Sequence, residues 1–390
     1  MRARTTPLCL ALLLAVPFAA NAQADDSMFS FSGFGTVGVV HNSEDQADFA
    51  TDFAPDGVGH SDSWSANPDS RLGLQLDARF TERFSAVVQV LSEYDYESSH
   101  APKLTLAHVK YAFSPALSVR VGRLAPPMFM LSDYRKVGYA MPWLRPPVEV
   151  YNTAIELDGG ELMYRFNAGA SAVTLQLLAG EADEGTMKLD DIVGLVGRVE
   201  FGNSTVFAGY NKAKISLAPN PGLEALLGLY QPGFPELAAR FRLADNDVTF
   251  SSLGYAYDPG TWFLRAEVTR LGTDDGMVAA TTNMYASAGR RIGAFTPYLT
   301  LGKVELDSPS SLGALDPIGV ANSILASGDS SRNSFSVGTR WDFRENFALK
   351  LEASHVRADA GSHGGLTNLQ PGFVHGGSYN LLSAAVDFVF

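Results

Sequence analysis

The chain contains one cysteine in 390 residues, and only 18% of its residues are charged, against roughly 25% in ordinary soluble domains. Beyond about the first twenty residues it has no run of ~18 consecutive apolar residues, the length that a membrane-spanning helix needs. A helical membrane protein is thereby excluded. A basic excess is missing too: the formal charge is −13, which repels nucleic acid. Disorder does not fit either, because 24 Phe, 14 Tyr and 4 Trp supply ample apolar surface to bury.

The single cysteine, Cys9, lies in a segment that reads as an export signal. Arg2 and Arg4 give a basic start, residues 8–20 an apolar run, and Ala20-Asn21-Ala22 and Ala22-Gln23-Ala24 two sites with small residues where cleavage is expected. The expected division is a secretory signal over 1–24 and one domain over 25–390. Cys9 precedes the apolar run instead of ending it, so a lipid anchor is not expected. The mature chain then has no thiol for disulfides or Cys-ligated metals.

Period-two alternation is what the chain has in quantity. In 71–80, Leu72, Leu74, Leu76, Ala78 and Phe80 share one face, and Arg71, Gly73, Gln75, Asp77 and Arg79 the other. Segments 335–343, 347–354 and 117–122 alternate in the same way. These runs are about ten residues long, against ~5–6 for strands of globular proteins and ~9–11 for a tilted strand crossing a bilayer. Connections fall into two kinds. Short turns rich in Gly, Pro, Asn and Asp are expected at 81–84, 114–117, 167–170, 201–204, 258–261, 292–295 and 344–346. Variable loops are expected at 43–69, 96–102, 126–155, 182–189, 218–244, 273–276, 307–330 and 359–376. Seven turns alternating with eight loops give sixteen strands, the pattern of an all-β, antiparallel up-and-down transmembrane barrel with an even strand number. Aromatic residues sit beside the short turns, among them Phe80, Phe84, Phe113, Phe166, Phe201, Trp262, Phe295, Phe343 and Phe347, as an interfacial girdle requires.

The last strand ends in Phe390, with Phe388, Val386, Ala384 and Leu382 behind it at period two. This resembles the C-terminal assembly signal of Gram-negative porins. The start of the mature chain, 29–40, is similar to the first strand of that family, and Leu382 departs mildly from it at a position that is often aromatic. The resemblance implies a sixteen-stranded barrel in outer-membrane lipid, a homotrimer, delivery by the outer-membrane assembly machinery through Phe390, and a third long loop folded into the pore.

Gly33-Phe34-Gly35-Thr36-Val37-Gly38 matches a dinucleotide-binding fingerprint, but no strand precedes it and no helix follows. Close approach of neighbouring groups in a first barrel strand accounts for these glycines better. A hydrolytic barrel would need a nucleophile beside a histidine base. His108 and His355 lie in expected strands, and Ser354 adjoins His355, yet adjacent strand residues face opposite sides. No catalytic, cofactor or metal site is expected. The acids of the first loop, Glu44, Asp45, Asp48, Asp52, Asp56, Asp62 and Asp69, read as a solvated surface that concentrates cations at a pore mouth.

The third long loop, 126–155, is unlike a plain surface loop. It holds five prolines, Met128, Phe129 and Met130, the aromatics Tyr134, Tyr139 and Trp143, and the charges Asp133, Arg135, Lys136, Arg145 and Glu149. A loop this long and apolar is expected to be buried or functional, and it is the candidate constriction. Parity turns nine cations inward (Arg71, Arg79, Lys110, Arg120, Arg165, Arg198, Arg265, Arg340, Lys350) and seven anions (Asp77, Glu93, Glu161, Glu200, Glu267, Asp342, Glu352). Of these, Arg71, Arg79, Arg120, Asp77 and Glu93 are the candidate wall partners of the loop. The near balance suits a water-filled channel for ions and small hydrophilic solutes. The alternatives are a selective channel with Tyr134, Tyr139 and Trp143 as a track for sugars or organic acids, and an enzymatic barrel. In 218–244, Leu223, Leu226, Leu227 and Tyr230 follow helical spacing and suggest a short helix that caps a subunit contact or the pore mouth.

Overall fold

A computed structural model describes residues 27–51, 54–152, 155–231, 233–274 and 276–390; the expected signal segment lies outside them. Sixteen strands form the barrel: β1 (Phe29–Asn42), β2 (Arg71–Arg79), β3 (Phe84–Glu93), β4 (Lys103–Ala112), β5 (Leu117–Leu124), β6 (Leu157–Ala168), β7 (Ser171–Asp183), β8 (Met187–Phe201), β9 (Ser204–Leu217), β10 (Asn246–Tyr257), β11 (Trp262–Gly272), β12 (Thr281–Arg290), β13 (Phe295–Leu306), β14 (Arg332–Arg344), β15 (Phe347–Ala358) and β16 (Ser378–Val389). Each pairs antiparallel with its sequence neighbours. The ring closes between β1 and β16, from Phe34 opposite Val389 to Asn42 opposite Leu381. All seven short turns fall where the sequence places them. The loop expected at 182–189 is shorter, because β7 and β8 run on past register shifts after Gly180 and Asp190; a bulge lets a strand continue while it bends.

The barrel is inverted relative to a soluble domain. Leu72, Leu74, Leu76, Leu175, Leu177, Leu299 and Leu301 point outward and are exposed, as a lipid-facing wall requires. At the short-turn end the aromatics form contacting pairs: Phe80 with Phe84, Tyr164 with Phe166, Tyr257 with Trp262, Phe295 with Trp341, and Phe343 with Phe347. The series runs on through Phe388 to Phe390. At the seam, the rings of Phe388 and Phe390 lie over Gly35 and Gly33, where a Cβ would approach them to 2.4 and 2.3 Å. The glycines of the first strand therefore make room for the terminal phenylalanines.

At the long-loop end the connections fold onto one another. Residues of the first loop (Ala47, Phe49, Val58) and of the last (Leu366) bury a small core with Val40, Val356, Tyr379 and Leu381. Helices Pro221–Gly228 and Pro235–Arg240 pack against helix Val320–Ser327 through Leu227, Tyr230, Phe241, Ala321 and Leu325. The amphipathic segment of 218–244 thus finds its partner in the neighbouring loop 307–331.

The wall tolerates side chains unevenly. Gly122 in β5 has φ +129°, and a Cβ there would sit 2.2 Å from the Ala107 carbonyl oxygen. At Gly160 in β6 nothing comes nearer than 3.5 Å. Gly122→Ala should cost ~1–3 kcal/mol through strain and overpacking and lower the temperature at which the folded barrel unfolds on a gel. Gly160→Ala should leave that temperature in place. Equal behaviour of the two variants would refute the register of β4 and β5.

Candidate functional site

The third long loop leaves β5 at Leu124 and turns into the barrel. Proline pairs at 126–127 and 146–147 fix φ at its start and just before its final stretch. A 3-10 turn, Gly138–Ala140, lies between them, and a short helix, Val148–Tyr151, follows the second pair. The loop's apolar side chains meet apolar wall residues that point inward from β7–β13. Phe129 packs on Tyr151 and Phe250, and Trp143 meets Phe263 and Tyr285 edge-on. Leu178, Val196, Phe207 and Tyr298 complete this internal core. Each large side chain fully buried here contributes ~1.5–3 kcal/mol.

Polar groups then pin the same loop to the wall. The Trp143 indole donates to Ser287 Oγ at 2.6 Å, the Met130 amide to Glu267 Oε1 at 2.9 Å, and the Leu144 amide to Tyr298 OH at 3.1 Å. Arg198 donates to the Met130 carbonyl at 2.9 Å, and Arg340 to the carbonyls of Tyr139 and Met141 at 2.5 and 3.0 Å. On the far side, Lys350 donates to the carbonyls of Gly138 and Trp143 at 2.7 and 2.6 Å and pairs with Asp387 at 2.7 Å. Lys350 and Asp387 are both 0% exposed. Arg145 holds Asp69 through two bonds of 2.8 and 2.6 Å and reaches Ser383 Oγ at 2.7 Å. Lys136 meets Glu93 at 2.6 Å. The loop therefore crosses the lumen, with ties from β3 round to β16.

Narrow spaces remain beside it, two of them of about 50 and 40 Å³. The first lies against β14–β16 and is lined by Glu149, Arg332, Ser334, Ser336 and Glu352. The second lies against β2 and β3 and is lined by Arg71, Glu93, Tyr94, Arg135 and Lys136. Both reach Arg145 and Asn152, so they adjoin around one segment of the loop. Glu93 stands between cations, 3.7 Å from Arg71 and 2.6 Å from Lys136.

The candidate residues sort by position. Arg71, Glu93, Arg135, Lys136, Arg145 and Glu149 come together at these spaces. Asp133 is exposed, Asp77 accepts from Gln75 at 2.9 Å, Arg120 pairs with Glu161 at 2.6 Å on the wall, and Arg79 is exposed at the end of β2. Trp143 is 1% exposed and serves as an anchor. Tyr134 is half-buried against the internal core, and the Arg340 guanidinium lies 4.6 Å over the Tyr139 ring. The Phe390 ring is outside, at the seam. Sequence reasoning took Asp69 for part of a solvated acidic loop; it is 2% exposed and bound to Arg145. It also passed over Asp387, whose inward parity in the last strand was the available signal. Ser354 points inward to Ser336 at 2.8 Å, whereas His355 faces outward to Asn380 at 2.9 Å, so the two form no dyad.

No family model and no curated protein matches this chain. Solved structures do. An anion-selective porin from Comamonas acidovorans superposes with a TM-score of 0.57 at 16% identity, covering 93% of this chain and 99% of that one. It has the porin fold. OmpF of Salmonella typhi, in complex with daunomycin, gives 0.55 at 12% identity over 93% and 97% of the chains. A trimer form of Vibrio cholerae OmpT, an outer membrane protein, gives 0.50 at 10% over 93% and 100%. The porin fold thus extends over essentially all the described residues.

Where the loop rejoins the wall, Glu156 faces Glu184, whose Oε1 accepts from the Glu156 amide at 2.8 Å. Burial, and then repulsion by Glu184, push the Glu156 carboxyl up to about 7, against the pull of Arg135 and Lys136, with Glu93 adding to the rise. The folded protein therefore binds a proton that the unfolded chain has released above its ordinary value of 4.5. This group's contribution to stability falls as pH rises from there through about 7. Thermal unfolding of the detergent-folded barrel should lose more stability between pH 5 and 8 in the wild type than in Glu156→Gln; parallel profiles would exclude this carboxyl as the source.

Proposed function

We propose that this chain is an outer-membrane channel of a Gram-negative bacterium through which ions and small hydrophilic solutes cross by passive diffusion. One observation carries the reading: a closed sixteen-stranded barrel with an apolar outer wall encloses a lumen narrowed, beside one inward loop, to spaces lined by charged and polar side chains. Such a wall suits lipid outside and water inside. The segment 1–24 supports export, and Phe390 supports recognition by the assembly machinery. The trimer form of the Vibrio cholerae protein of the same fold supports a homotrimer. Residues Arg71, Glu93, Arg135, Lys136 and Arg145 set the size limit and the ion preference. Selectivity through stacking on Trp143 is the weaker reading, since wall and loop cover that ring. Catalysis is weaker still, with Ser354 and His355 on opposite faces.

Single-channel recording in a planar bilayer tests the proposal: stepwise openings are expected, and silence from protein shown to be folded would overturn it. The charge ring makes a sharper statement. Glu93→Gln removes the carboxylate shared by Arg71 and Lys136 and should move the reversal potential in a salt gradient toward anion preference. An unchanged potential would take these residues off the ion path.

A further inference from the structure

Sorted by partner, the nine cations that parity turns inward divide into two groups. Arg198, Arg340 and Lys350 hold the loop, Arg265 lies over the Trp143 ring, and Arg71 is paired with Glu93. The remainder, Arg79, Lys110, Arg120 and Arg165, gather on the opposite wall, toward the short-turn end.

Register explains the gathering. Arg79 of β2 pairs with Ser85, Ser85 with Lys110, Lys110 with Arg120, and Arg120 with Glu161. Three cations thus occupy inward places along a single rung, with Lys110 and Arg120 directly opposite, an arrangement of like charges that is destabilising by itself. Arg165, inward on β6, stands next to this rung: Arg165 and Arg120 are the charges that repel the Lys110 ammonium, and Glu161 is the one that attracts it. Glu161 is engaged by Arg120 at 2.6 Å. Among the described residues the side chains of Lys110 and Arg165 make no hydrogen bond or ion pair, and Arg120 Nε is buried without a partner. The rung above carries His108, with a buried unpartnered Nδ1, and Asp77. Four permanent cations therefore face two carboxylates.

We propose that Lys110, Arg120 and Arg165 form a binding site for small oxyanions of charge −2 or more, phosphate or carboxylate, in the vestibule between the loop and the short-turn mouth. Such an ion neutralises the repulsion that the rung otherwise carries and receives charge-assisted bonds from the ammonium and the two guanidiniums. The site's place on a transport route rests on the channel reading; the binding itself does not.

Titration calorimetry on the detergent-folded protein at low salt tests it, with inorganic pyrophosphate and succinate as separate probes. Saturable binding of at least one probe is expected, weakened about tenfold or more in Lys110→Gln/Arg165→Gln. The control Lys212→Gln/Lys214→Gln removes two outward cations at the other end of the wall and should bind as the wild type does. Pyrophosphate alone binding assigns the site to phosphates, and succinate alone to carboxylates. No saturable binding of either probe, or equal binding in the two double variants, overturns the site. Protein that binds but shows no conductance in a bilayer would keep the site and refute the channel.

Discussion

A buried ammonium holds the interior of this barrel in place. Lys350 is removed from water, and an unpaired charge there would cost several kcal/mol. Its three partners are Asp387 on the last strand and the carbonyls of Gly138 and Trp143 on the loop. Asp387 is in turn held by Thr36 of the first strand at 2.6 Å. One contact set therefore joins both strands of the closing seam to the segment that narrows the lumen. Truncating one partner would leave a buried charge or orphaned carbonyls, so loop position and barrel closure are energetically linked.

The loop has two faces with different physics. Toward β7–β13 it behaves as a piece of a soluble core, with Phe129 and Trp143 packed on aromatic wall residues. Toward β14–β16, β2 and β3 it is held by directional charged bonds through Lys350, Arg145 and Lys136. The charges that line the remaining spaces are mostly the same ones that hold the loop, so selectivity and architecture share residues. The rung of Lys110 and Arg120 stands apart, because it holds no part of the loop.

Much of this fold was legible in the sequence, because its determinants are local. Alternation of period two marks each strand, and Gly, Asn, Asp and Pro mark each short turn; all seven turns and sixteen strands follow from residues within a few positions of one another. The composition of 126–155 likewise announced a buried loop. What was not legible depends on contacts remote in sequence. Asp69 looks like any acid of an exposed loop until Arg145, 76 residues on, comes beside it. The mouth core joins Phe49 to Leu366 and Tyr379. A tally of nine inward cations and seven anions could not tell those that anchor the loop, such as Arg340, from those whose side chains have no partner among the described residues, such as Lys110.

The central claim is that a polar tie to Lys350 keeps the loop across the lumen and so limits flow. Its most direct test is the single-channel conductance of Lys350→Met/Asp387→Leu, since replacing both members of a buried ion pair by apolar residues of similar volume avoids the cost of a lone buried charge while releasing the Gly138 and Trp143 carbonyls. The expected result is a folded barrel with larger and noisier openings than the wild type. Openings of unchanged size and stability would contradict the claim and place the control of flow elsewhere in the lumen.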